Sequence, residues 1–208
     1  MVEFLPSKQT ARVRFPSPAP FMEKSAIILH GICSRKEYFE MDFPSPSNAH
    51  WLPWLQQKFL RNGLLCQCLE MPRPYEPKYE EWREVFEKFA HPDLSVVVAH
   101  SAGSGFILKW LHENPRTRLD KLVLVAPYID PDGEQGDFLE FDFDKNALEN
   151  VKEVYLFISS DDAKSILAST EKILDEYPAM IVHRYEGLGH FCFENTGASF
   201  EDLWEVCK

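Results

Sequence analysis

Leu94-Ser95-Val96-Val97-Val98-Ala99-His100-Ser101-Ala102-Gly103 carries the strongest fold signal in the chain. Its first seven residues are mostly apolar and rich in β-branched side chains, which predicts a strand buried on both faces. Phe106, Ile107, Trp110 and Leu111 then recur at helical spacing, so a helix follows directly. Between the two lies Ala99-His100-Ser101-Ala102-Gly103. A serine in a sharp strand-to-helix turn, with small residues two positions before and after, marks a turn that holds the serine in a strained backbone conformation. The usual pattern is G-x-S-x-G; Ala99 stands at the first glycine and adds one methyl group where two backbones approach. Gly105 extends the close contact. Ser101 is thus expected to be a nucleophile. The competing reading is a plain helix N-cap, a role serine also favours.

The same rhythm runs outward from this turn. Further strands are expected at 24–30, 64–70, 119–126, 152–159 and 179–185. Helices are expected through Trp51, Leu55 and Phe59 (with Ser47 or Asn48 as N-cap and Gly63 as stop), over 78–90, over 165–177 and over 199–207. Alternation of strand and helix predicts an α/β fold of about six mainly parallel strands with helices on both faces. Residues 1–22, with Pro6, Pro16, Pro18 and Pro20, read as an extended leader. Residues 23–208 read as one domain. The loop over 127–144 is short for a lid, so no large cap domain is expected. Phe138, Phe141 and Phe143 within it are placed either to border an apolar pocket or to pack in the core.

A net charge of −11 argues against nucleic acid or an anionic membrane as partner. No apolar run reaches the roughly 20 residues of a membrane helix, and the first residues lack a signal-peptide pattern. A cytoplasmic protein is expected. The five cysteines, Cys33, Cys66, Cys68, Cys192 and Cys207, include no second closely spaced pair to complete a zinc site. They read as buried free thiols, with no metal and no cofactor.

A serine nucleophile needs a base, an acid and oxyanion donors. Of seven histidines, His190 is the one that follows both serine and acid, in the glycine-rich loop Gly187-Leu188-Gly189-His190-Phe191. His183 falls inside a strand and reads as structural or exposed. His100 is expected to pack or hydrogen-bond below the serine, and His30 to line the pocket. The acid is expected in Ser159-Ser160-Asp161-Asp162, where the residues leave Asp161 and Asp162 both open, the other being free to cap the next helix. The acidic run from Asp130 to Asp144 reads as a solvated loop. Oxyanion donors are expected from the backbone N–H groups of Ala102 and Ile32, the latter after His30-Gly31.

With these residues in order, the sequence resembles the small single-domain serine hydrolases related to YdeN and to retinoblastoma-binding protein nine. The likeness rests on His30-Gly31, His50-Trp51-Leu52-Pro53-Trp54-Leu55, Met71-Pro72-x-Pro74, the turn at Ser101, Ser160-Asp161-Asp162 and Gly189-His190-Phe191. It implies a compact α/β-hydrolase fold and a triad of Ser101, Asp162 and His190. Ala163, where relatives often carry proline, leaves the register of the acid loop less fixed. Cys66-Gln67-Cys68-Leu69-Glu70 lacks the leucine of a Leu-x-Cys-x-Glu motif, so no retinoblastoma-type partner is inferred. The expected activity is cleavage of a small-molecule acyl substrate, carboxylesterase-like, through an acyl-enzyme. The alternative is a non-catalytic binding module that keeps the fold and pocket.

Overall fold

Six apolar runs pair side by side to make the sheet. The computed structural model describes residues 24–208, so the leader expected over 1–22 lies outside the described residues. The strands are β1 (Ser25–Leu29), β2 (Leu65–Leu69), β3 (Leu94–His100), β4 (Leu119–Val125), β5 (Val151–Ser159) and β6 (Ile181–Tyr185). Their order is β2-β1-β3-β4-β5-β6, and every pairing is parallel. All seven residues of β3 are buried whichever way they point, so both faces of the sheet are covered there. The edge strand β2 is less covered, with Leu65 and Gln67 exposed. From β1 the chain runs first to β2 on one side, then crosses to β3 on the other. The loops after β1 and β3 therefore diverge from neighbouring strand ends, the switch point at which such sheets bind ligands. Leu29 pairs with Ala99, which sets the loop at His30 beside the turn at Ser101.

The helices are α1 (Arg35–Phe39), α2 (Leu52–Arg61), α3 (Tyr79–Glu87), α4 (Ala102–Glu113), α5 (Lys164–Glu176), α6 (Phe193–Thr196) and α7 (Glu201–Cys207). The stripe on α2 is as expected, with Leu55 and Phe59 buried, but its start is not. Ser47 and Asn48 lie in a short 3-10 turn, and Trp51 occupies the N-cap. Pro53 is the stronger signal: it has no N–H to leave unpaired in a first turn, and its fixed φ suits that place. Helix α1 is unexpected. A reciprocal capping box starts it, Ser34 Oγ accepting from Glu37 N–H while the Glu37 carboxylate accepts from Ser34 N–H. It buries no residue, so hydrophobic periodicity gave no sign of it.

The core beside α3 and α4 is aromatic. Trp82, Phe86, Phe106 and Trp110 pack edge to face with centroids 4.8–5.7 Å apart. Phe138 joins them, 4.9 Å from Trp82. Phe141 and Phe143 pack on each other and on His112. All three phenylalanines thus serve the core. The connection from β4 to β5 holds only a three-residue 3-10 turn at Gly136–Phe138, and no cap domain. Cys66 and Cys207 are buried, whereas Cys33, Cys68 and Cys192 are only half-buried; all five are free thiols. No helix among the described residues is long and apolar enough to cross a membrane.

Candidate active site

Ser101 sits between β3 and α4 with φ 54° and ψ −128°, a conformation that costs a side chain about 1–3 kcal/mol. Its own backbone groups are tied down on both sides. Ser101 N–H donates to Val125 O at 2.9 Å, and Ser101 O accepts from Ser104 N–H at 2.9 Å and from Tyr128 N–H at 3.1 Å. Small neighbours make the turn sterically possible. A Cβ on Gly103 would lie 2.5 Å from His30 O, and one on Gly31 would lie 2.7 Å from Ser101 Cβ. The extra methyl of Ala99 is accommodated in a fully buried position. Ser101 makes no side-chain cap to α4, contrary to the plain capping reading.

Its Oγ lies instead 2.9 Å from His190 Nε2. His190 Nδ1 lies 3.0 and 3.1 Å from the two oxygens of Asp162. A carboxylate accepts, so Nδ1 carries the proton and Nε2 is free to take one from the serine hydroxyl. The Asp162 side chain is 3% exposed and the His190 ring 30%, so the carboxylate is shielded and the imidazole faces outward. Asp161 does something else. Its Oδ1 accepts from Gly187 N–H, Gly189 N–H and Ser159 Oγ, at 3.0, 3.2 and 2.5 Å. The Ser159 hydroxyl is the leading cause of its lowered pKa. Neither aspartate takes the N-cap position of α5, which belongs to Ala163.

The loop that carries His190 is clamped from three more directions. His100, fully buried, has its Nε2 2.8 Å from His190 O and must donate to it. Trp51 Nε1–H donates to Phe191 O at 3.0 Å, and His50 Nδ1 accepts from Phe193 N–H at 3.0 Å. The segment from His50 to Leu55 therefore owes part of its character to holding this loop, a role that its spacing did not reveal. His183 lies in β6, stacked on Phe157 at 4.5 Å. His30 does not line a pocket. It is 2% exposed, and both ring nitrogens face backbone atoms. With both its imidazole nitrogens committed to the backbone, His30 is poorly disposed to be a metal ligand.

Ala102 N–H opens α4, where the first N–H groups have no intrahelical acceptor. Ile32 N–H makes no hydrogen bond among the described residues. One expected donor thus opens the helix after Ser101, and the other follows Gly31, which lies against Ser101. Two thiols flank the site without competing as nucleophiles. Burial, aided by nearby carboxylates, pushes Cys33 and Cys192 up to about 11, so both stay protonated near neutrality. A recess of about 580 Å³ lined by Lys24, Asp93, Arg118 and Lys152 lies at the amino ends of the strands, away from Ser101.

A parallel sheet of this order, with serine and histidine on loops at its carboxyl end, is the fold of the α/β hydrolases. The family model for serine hydrolase matches residues 43–206, so the chain belongs to the serine hydrolase family. It is 27% identical over 192 residues to YdeN of Bacillus subtilis (strain 168), covering 89% of this chain and 95% of YdeN. The crystal structure of the ydeN gene product aligns with a TM-score of 0.71 over 88% of this chain and 96% of that one, at 22% identity. Est1E from Butyrivibrio proteoclasticus, solved with ferulic acid bound, aligns with a TM-score of 0.54 at 12% identity over 89% and 91% of the two chains.

Trp51→Phe removes a buried donor from the histidine loop and should cost about 1–3 kcal/mol, read from urea denaturation; an unchanged midpoint would show that the contact carries no load. Burial holds His30, His50 and His100 below their ordinary value of 6.5. The unfolded chain takes up protons below that pH which the folded protein refuses. Stability present above about pH 6.5 should therefore fall as the pH is lowered, by up to about 1.4 kcal/mol per pH unit for each of the buried His30 and His100 and by less for the half-buried His50. His100→Gln should flatten that fall in denaturation series run at stepped pH. An equally steep fall in the variant would contradict the assignment.

Proposed function

We propose that the protein hydrolyses carboxylic esters through an acyl-enzyme, with Ser101 as nucleophile, His190 as general base and Asp162 as the acid that orients it. The observation that carries this reading is the unbroken chain Ser101 Oγ to His190 Nε2 at 2.9 Å and His190 Nδ1 to Asp162 at 3.0 Å. Ser101 Oγ attacks the ester carbonyl carbon while its proton passes to Nε2. The negative charge that develops on the carbonyl oxygen is met by the N–H groups of Ala102 and Ile32, the former at the positive end of the α4 dipole. Asp162 stabilises the imidazolium. Collapse expels the alcohol, which takes the proton back from Nε2. Water then enters the same cycle, and the carboxylic acid leaves.

The substrate in this reading is a small acyl compound reaching a site that no cap domain covers among the described residues. Five free thiols suit a reducing, cytoplasmic setting.

A fluorophosphonate probe should label the wild type and leave Ser101→Ala and His190→Ala unlabelled; undiminished labelling of Ser101→Ala would overturn the nucleophile. With p-nitrophenyl acetate as substrate, Asp162→Asn should lower kcat by about 10³–10⁴-fold, because the imidazole loses the partner that fixes its tautomer. Asp161→Asn should lower it far less, by loosening the loop. The reverse ranking would transfer the role of acid to Asp161.

A further inference from the structure

The segment from Met71 to Pro74 bonds to the loop after β1 at two points. Met71 N–H donates to His30 Nε2 at 2.9 Å, and Pro74 O accepts from Cys33 N–H at 3.3 Å. His30 Nδ1 lies 2.6 Å from Gly31 O. A carbonyl can only accept, so Nδ1 bears the proton; Nε2 accepts, so the ring is neutral and its tautomer is fixed. Glu70 Oε1 is 3.9 Å from Nε2, but that lone pair is already engaged by Met71 N–H, and burial opposes a charged ring. The ring packs near-perpendicular to that of Trp82, with centroids 5.6 Å apart, and Trp82 Nε1–H donates to Pro72 O at 2.9 Å.

Gly31 O and Ile32 N–H belong to one peptide unit. The described residues contain no cis peptide, so that N–H points opposite to the carbonyl. Drawing Gly31 O onto His30 therefore turns Ile32 N–H away from the ring. Gly31 itself lies against the nucleophile, where an added Cβ would come within 3.1 Å of Ser101 Oγ. The next N–H along, that of Cys33, is already taken by Pro74. The peptide is thus held from both ends.

We propose that His30 is a positioning residue which, locked in one tautomer by Met71, fixes the Gly31–Ile32 peptide so that Ile32 N–H faces the oxyanion formed at Ser101. The inference rests on the esterase reading above, and it gives the Met71–Pro74 segment a part in the chemistry at a distance from the serine.

Two variants separate the two bonds of the ring. The amide nitrogen of His30→Asn falls where Nδ1 was and can still donate to Gly31 O, while the longer His30→Gln amide reaches towards Met71 instead. With p-nitrophenyl acetate, and with kcat expressed per Ser101 labelled to completion by fluorophosphonate, His30→Gln should lose about 10–100-fold in kcat with KM little changed. Binding of a trifluoromethyl ketone, which forms a tetrahedral adduct on the serine, should weaken by the same factor. His30→Asn should stay within about fivefold of wild type in both measures. A merely structural histidine would lower the melting temperature and the labelled fraction but leave kcat per labelled serine unchanged. That result, or equal losses in Asn and Gln, would overturn the inference alone. A wild type that neither labels nor turns over the ester would overturn the esterase reading, and the inference with it.

Discussion

A serine whose φ is 54° stays in that conformation only if its surroundings leave no alternative, and much of this site can be traced to that requirement. Three backbone hydrogen bonds fix the Ser101 peptide groups to β4, to α4 and to the loop beyond β4. They work because β3 lies between β1 and β4, with the sheet buried on both faces. Strain also gathers around it. The six non-glycine residues of positive φ among those described are His50, Arg73, Ser101, Ala126, Asp130 and Phe191, and all lie in connections that leave the carboxyl ends of strands. Among the described residues, the opposite rim of the sheet holds no such residue.

Two separate braces converge on the serine. One comes from His50 and Trp51 at the start of α2 and holds Phe191 and Phe193, with His100 and Asp161 fastening the same loop at His190, Gly187 and Gly189. The other runs from Met71 and Pro74 to His30 and Cys33. Each relies on buried or half-buried imidazoles that act as neutral hydrogen-bonding groups and not as charges. Burial, which keeps His30, His50 and His100 from taking up protons, suits them to that work. The two brace segments coincide with the stretches, 50–55 and 71–74, that made the sequence resemble its relatives, so the resemblance has a physical content beyond the serine turn.

The strands were legible because parallel strands buried on both faces read as near-continuous apolar runs, and β3 is the one with three consecutive valines. The meeting of Ser101 with His190 was legible from their order and from the glycines that surround them. The choice between Asp161 and Asp162 was not, since adjacent residues of one type give the same local signal and only the fold decides which meets the imidazole. The inward turn of His30 was hidden for a related reason: its partners, Gly31 O and Met71 N–H, are backbone atoms that every residue possesses. Helix α1 escaped because it packs nothing into the core, and the start of α2 was misread because serine and asparagine outnumbered the one proline that sets it.

The two aspartates also say something about how this protein can change. Asp161 gathers the amides of the histidine loop while its neighbour receives the histidine ring, and both hang from the single connection between β5 and α5. Loss or gain of one residue there would bring the wrong carboxylate to each partner at once. The connection is only four residues long, from Ser160 to Ala163, so its length is held as firmly as its two carboxylates.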